Sequence, residues 1–203
     1  MKIRLIAPLV FALLATLVSA APASARQEHV VFAGGCFWGV EAVFESLKGV
    51  SSAVSGYAGG SRETARYETV STGTTGHAES VEVTYDPRQI SFAQLLKVYF
   101  LVAHDPTQFN RQGPDEGTQY RSAIFYTTDA QRNEAQAAIK QLETAKTFGS
   151  RIVTQVVPLR GFYAAEAYHQ HYLQLHPDQP YIVYNDLPKL AHLRKAFPQL
   201  LKH

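Results

Sequence analysis

Apolar positions along the chain switch repeatedly between a continuous or alternating pattern and a helical one. Val30-Val31-Phe32-Ala33 is a short apolar run, which predicts a buried strand, and Val40, Val43, Phe44 and Leu47 then recur at helical spacing until Gly49. Val50 to Tyr57 suits a strand ending in Gly59-Gly60. Ser61 to Gly76 is polar and predicts an irregular excursion carrying Tyr67. Glu79 to Tyr85 alternates, with Val81, Val83 and Tyr85 on one face, and Asp86-Pro87 closes it. Ser91-Phe92-Ala93-Gln94 reads as a capping box ahead of an amphipathic helix through Leu95, Leu96, Tyr99 and Val102. A long loop from His104 to Gln119 follows, of a length that tends to be functional. The pattern then predicts a strand over Tyr120–Thr127, a Thr128-capped helix to about Lys146, a strand over Ile152–Val157 and a helix over Ala164–Leu175. A short helix near Lys189–Phe197 ends the chain. Alternating strands and helices with hairpin-like neighbours predict one α+β domain, a two-layer sandwich with a mixed sheet.

The first 25 residues change the picture of where that domain works. Lys2 and Arg4 precede a mostly apolar run from Leu5 to Val18, and Ala23-Ser24-Ala25 supplies the small-residue pattern of a signal cleavage site. The expectation is a signal peptide over 1–25, cut after Ala25 (Ala20 competes), a single domain over 26–203, and export to a bacterial periplasm. No stable membrane association is expected after cleavage. The whole chain carries 19 basic and 17 acidic residues. Two of the basic ones lie in the leader, so the remainder is formally neutral, and nothing points to nucleic acid or an anionic membrane as partner.

Cys36 is the only cysteine and Trp38 the only tryptophan, both inside Gly34-Gly35-Cys36-Phe37-Trp38-Gly39. The flanking periods put Cys36 where a strand turns into the first turn of a helix. Unpaired backbone N–H groups and the helix dipole favour a thiolate there, which predicts a nucleophile with a lowered pKa. With one cysteine, an internal disulfide is impossible.

Several groups could serve that thiol. Glu79, at the start of a strand, is a proton donor if withdrawn from water, although by periodicity it reads as well as an exposed strand end. Asp115 and Tyr120 sit at the end of the long loop. Tyr67 is one of eleven tyrosines, most of which must be packing residues. His169, His171 and His176 are close in sequence, but His169 and His171 point to different helix faces, so no metal is expected. A cysteine hydrolase needs an activating histidine. His77 and His104 are available, and no pattern puts either beside Cys36.

Gly35-Cys36-Phe37-Trp38-Gly39 resembles the active-site signature of peptide methionine sulfoxide reductase A. The resemblance continues in Ser55 to Gly60, Gly76-His77-Ala78-Glu79, His104 to Gln108, Arg111 to Ser122 and Glu166-Ala167-Tyr168-His169-Gln170, in family order. It implies a ferredoxin-like αβ-plait and reduction of the S epimer of methionine sulfoxide, in proteins first and the free amino acid second, through a cysteine sulfenic acid. Cys36 would be the nucleophile and Glu79 the acid. Tyr67 and Tyr120 would bind the sulfoxide oxygen, Asp115 would support the site, and Phe37 and Trp38 would hold the substrate methyl group. No cofactor is implied. Many family members carry one or two further cysteines near the C-terminus; the tail from Asp186 to His203 has none, so an external thiol, from a thioredoxin-like protein or a small thiol, must regenerate an enzyme expected to be a monomer. The competing reading is a non-catalytic redox sensor or methyl-sulfur binding module.

Overall fold

The structure is a computed structural model that describes residues 27–202, so the signal-peptide expectation for 1–25 lies outside the described residues. In chain order, β1 (Glu28–Ala33) leads into α1 (Phe37–Glu45), β2 (Val50–Ala58), the one-turn helix α2 (Tyr67–Val70) and β3 (Ala78–Tyr85). Then come α3 (Phe92–Val98), the two-residue strands β4 (Arg111–Gln112) and β5 (Asp115–Glu116), β6 (Ala123–Tyr126) and α4 (Asp129–Thr144). The chain ends with β7 (Gln155–Pro158), β8 (Phe162–Ala164), α5 (Tyr172–Leu175) and α6 (Leu187–Ala196).

Six strands form a mixed sheet in the order β7-β6-β1-β3-β2-β8. Among the described residues, only the β6–β7 pair is parallel. The larger core packs α1 and α3 against the inward residues Val30, Phe32, Val81, Val83 and Tyr85, while a smaller cluster of Val31, Ala33, Ala58, Ala78, Ala123 and Phe125 covers the other face. The α+β class and mixed sheet agree with the sequence pattern. The Ser91 capping box forms in full, with Gln94 returning its side chain to the Ser91 backbone N–H. Thr128 caps α4 as expected.

Three boundaries differ. Tyr120 belongs to a 3-10 turn, Thr118–Tyr120, and the strand starts only at Ala123. The strand expected from Ile152 begins at Gln155, because Val153 N–H donates to Pro106 O instead of to the sheet. The helix expected over Ala164–Leu175 is replaced by the end of β8, a 3-10 turn at Ala167–His169 and the single turn α5. Tertiary hydrogen bonds override the helical period there. The Gln170 side chain pairs with the backbone of Ser55 on β2 through both its amide atoms. His171 adopts φ 54 and gives its backbone N–H to the Glu41 carboxylate.

Candidate active site

Cys36 stands at the N-cap of α1, directly after the turn that leaves β1. Gly35 makes that turn at φ +88, and a Cβ there would lie 2.6 Å from the Gln112 side chain. Four segments distant in sequence converge on the thiol. Cys36, Phe37, Trp38, Tyr67, Glu79, Asp115 and Tyr120, all seven residues expected from the sequence, line one cavity of about 250 Å³. Gln179 and Tyr181 complete it.

Each side chain is held by something visible. Glu79 enters at the head of β3 opposite Tyr57 and accepts the Phe37 backbone N–H at 3.2 Å. The loop before it is clamped by Arg121, whose guanidinium donates to Gly76 O, His77 O and Thr118 O. That clamp also fixes the turn carrying Tyr120. Glu166 accepts the Tyr57 hydroxyl at 2.8 Å and the Tyr67 backbone N–H at 3.0 Å, tying the excursion that carries Tyr67 to the sheet. Asp115 lies on the β4–β5 hairpin and accepts the Tyr181 hydroxyl. Trp38 stacks on Tyr172, with centroids 3.8 Å apart and planes 10° from parallel.

The electrostatics overturn one expectation. The Cys36 thiol is pushed well above its ordinary value, not below it, because burial outweighs the helix N-terminus. Negative charge from Glu79 and Asp186 acts in the same direction, while the Trp38 backbone N–H and Lys189 oppose it. Burial also raises Glu79 to about 8, so its carboxyl group holds a proton at neutral pH. Asp115 is raised by burial as well. Tyr67, Tyr120 and Tyr181 are shifted upward, first by burial, and remain hydroxyl donors. The site therefore presents protonated donors around a neutral thiol.

The histidines separate into different jobs. His77 ties Gly60 N–H and Ser61 O together, and His104 bonds Tyr99 O and Ser122. His169 packs among the site's aromatic rings, whereas His171 contacts Glu45 at 2.6 Å. Glu41, Glu45 and His171 approach one another closely enough to share an ion. Ordinary partners account for that grouping: Glu41 accepts from Ser55 and from the His171 backbone, and Glu45 pairs with the imidazole.

The sequence pattern missed Gln179, Tyr181, His169, Asp186 and Lys189. Asp186 is fully buried and pairs with Lys189 at 3.0 Å. Both press on Gly39, where a Cβ would meet Asp186 Oδ1 at 2.1 Å. The Asp186-Leu187-Pro188 order was the available signal, being the pattern of a helix start. Nothing local marks Tyr181.

Comparison with known proteins agrees with this geometry. The family described as peptide methionine sulfoxide reductase matches residues 28–201. Peptide methionine sulfoxide reductase MsrA 2 of Mesorhizobium japonicum is 60% identical over 181 residues, covering 89% of this chain and 91% of that protein. The crystal structure of reduced Mxr1 from Saccharomyces cerevisiae superposes with a TM-score of 0.70 at 34% identity, over 77% of this chain and 90% of that one. Mxr1 in complex with Trx2 has the same fold, with a TM-score of 0.50 at 24% identity over 76% and 91% of the two chains. With its thiol, its acid and its hydroxyls gathered in one cavity and its sequence matched nearly end to end, the chain belongs to the peptide methionine sulfoxide reductase family.

Proposed function

We propose that this methionine sulfoxide reductase acts on the S epimer, using Cys36 as nucleophile and Glu79 as proton donor. The observation that carries the assignment is the protonated, buried Glu79 sharing one small cavity with Cys36, Tyr67 and Tyr120. A binding module or redox sensor needs no acid in such a place. The sulfoxide oxygen accepts from Glu79 and the two tyrosine hydroxyls, which draws electron density from the substrate sulfur where charge develops. Phe37 and Trp38 offer apolar ring surface to the methyl group. Asp115, fixed by Tyr181, supports the wall.

The step balances within the site. Sγ of Cys36 attacks and its proton passes to the Glu79 carboxylate, replacing the one Glu79 gives to the oxygen. The sulfur–oxygen bond of the substrate breaks as the Sγ–O bond forms. Methionine sulfur gains two electrons, Cys36 loses two, and the products are a thioether and a sulfenic acid, the reversible first rung of thiol oxidation. An external thiol then attacks the sulfenic acid and releases water, and a second thiol frees Cys36 as a disulfide leaves. A thioredoxin-like dithiol protein is our choice of reductant. It is supported by the single cysteine of this chain and by the Trx2 complex known for Mxr1.

The order β6-β1-β3-β2 with α1 and α3 as its crossovers supports reading the core as a ferredoxin-like plait. The basic, apolar and small-residue pattern of residues 1–25 supports export to a periplasm, with the working enzyme a monomer free of the membrane. Among the described residues no helix is long and apolar enough to cross one. The function is tested by supplying each sulfoxide epimer with dithiothreitol to the intact protein and to Cys36→Ser. Reduction of the S epimer by the intact protein alone is expected; equal turnover of the R epimer, or activity in Cys36→Ser, overturns the assignment.

A further inference from the structure

We propose that a cleft on the sheet face away from α1 and α3 binds a small organic anion, held by Arg121 and Arg160. The cleft has a volume of about 570 Å³ and shares no lining residue with the Cys36 cavity. Its apolar wall is Phe125 of β6 with Val157 and Pro158 of β7, and Phe125 and Val157 belong to the smaller core cluster of that face. The turn after β2 closes one end. A Cβ on Gly59, whose φ is +98, would lie 2.7 Å from Arg121 Nη2 and 3.4 Å from Phe125 Cε1.

The charges in this cleft are unbalanced. Arg121 is half-buried and donates three hydrogen bonds, to Gly76 O, His77 O and Thr118 O. A guanidinium has five N–H donors, so Nε–H and the second Nη2–H have no acceptor among the described residues. All three acceptors are neutral carbonyls. Neither Arg121 nor Arg160 enters an ion pair among the described residues. No acidic side chain lines the cleft, and Glu63, the acid nearest to Ser61 in sequence, stays outside it. Burial pushes the Arg121 pKa down, with no carboxylate to offset it. Two uncompensated guanidiniums beside an apolar wall match one kind of ligand. Their planar forks suit the oxygens of a phosphate or carboxylate, and the wall suits a hydrocarbon or aromatic body. The volume falls within the range of small-molecule sites, roughly 300–1,000 Å³.

Phenyl phosphate is the probe, titrated into the intact protein at constant ionic strength. The backbone amide signals of Gly60, Ser61 and Gln155, which line the cleft, should shift in the proton–nitrogen NMR spectrum and saturate with a Kd below about 1 mM. Inorganic phosphate lacks the ring and should bind about fivefold more weakly. Arg121 also clamps the loop before Glu79 and the turn of Tyr120, so the variant is made at Arg160, which is exposed. Arg160→Gln should keep the fold and raise the Kd for phenyl phosphate about tenfold, the scale of one hydrogen bond to a charged group. Shifts that never saturate overturn the proposal. So does an unchanged Kd in Arg160→Gln, or inorganic phosphate binding as tightly as phenyl phosphate. None of these measurements uses a sulfoxide, so their outcome is independent of the assigned reaction.

Discussion

The Phe37 backbone N–H donates to the Glu79 carboxyl group at 3.2 Å, so the first free N–H of the helix behind Cys36 is given to the acid and not to the thiol. The helix N-terminus thus serves two groups at once. Phe37 N–H steadies Glu79, and Trp38 N–H faces the sulfur. On the proposed mechanism, a residue at the head of one strand and a residue at the head of one helix carry the two protons that move.

Glu79→Gln follows from that bond. Glutamine keeps an oxygen to accept the Phe37 N–H, so the fold survives, but its amide cannot give up a proton. The chemical step should slow by about 10²- to 10⁴-fold, read by single-turnover reduction of the S-sulfoxide. In the wild type the active form carries the proton, and that form is lost as pH rises through about 8. The single-turnover rate should therefore fall above pH 8. The same shift makes a stability prediction. The folded state holds a proton that the unfolded chain releases near pH 4.3, so wild-type stability declines from there up to about 8. Glu79→Gln escapes this decline. Its gain in urea unfolding should be absent at pH 4 and grow to a few kcal/mol, roughly, by pH 8. A constant difference across that range removes the assigned shift.

Cys36 reactivity gives the second prediction. A thiol lifted by burial alkylates slowly at neutral pH, and the iodoacetamide rate should keep climbing above pH 9 with no plateau below it. Among the described residues, Lys189 is the cation that lowers this thiol, through its place against the first turn of α1. Lys189→Met should shift the alkylation profile to still higher pH. A plateau near pH 6 would restore the low-pKa thiolate that the helix N-terminus alone suggests.

How far the sequence carried these conclusions depends on how local each cause is. The apolar run Val30–Ala33, the paired glycines and the helical spacing after Cys36 are all short-range, and they located the N-cap correctly. The capping box of α3 was equally legible, since Ser91 and Gln94 satisfy each other. The thiol's electrostatics were not, because Glu79 and Asp186 come from β3 and from the chain 150 residues downstream of Cys36. Those charges act only once the fold assembles them in a dry place. The segment 164–175 failed for a related reason. Its apolar spacing fits a helix, but Glu166, Gln170 and His171 spend their hydrogen bonds on β2, Tyr67 and Glu41. Tyr67, Asp115 and Tyr120 could be named only through the family resemblance, as no periodicity separates them from packing or loop residues.

Gly39 tests how closely α6 approaches the site. Alanine has the higher helix propensity, and in an open helix the exchange is stabilising. Here the new Cβ would meet Asp186 Oδ1 at 2.1 Å, and both partners are buried. Gly39→Ala should destabilise the protein by about 1–3 kcal/mol in urea unfolding. Asp186→Ala in the same chain should recover part of that loss, giving a coupling between the two positions. Additive effects would mean that the helices part without strain.

The lone cysteine makes a stoichiometric prediction. With no second thiol in the chain, the sulfenic acid formed on Cys36 has no internal partner and no disulfide can form within the molecule. Without reductant, the enzyme should release one methionine per chain and stop. Dimedone should then label Cys36, whereas a chain with a resolving cysteine would lose the sulfenate to a disulfide before trapping. One equivalent of a small thiol should convert the stalled form to a mixed disulfide at Cys36, and a second should release free enzyme. Met1 is the only methionine and lies in the expected leader, so in the processed chain no methionine signal competes in the mass spectrum. More than one methionine released per chain without reductant would require a thiol that this sequence does not contain, and with it a contaminating reductase in the preparation or a different chemistry at Cys36.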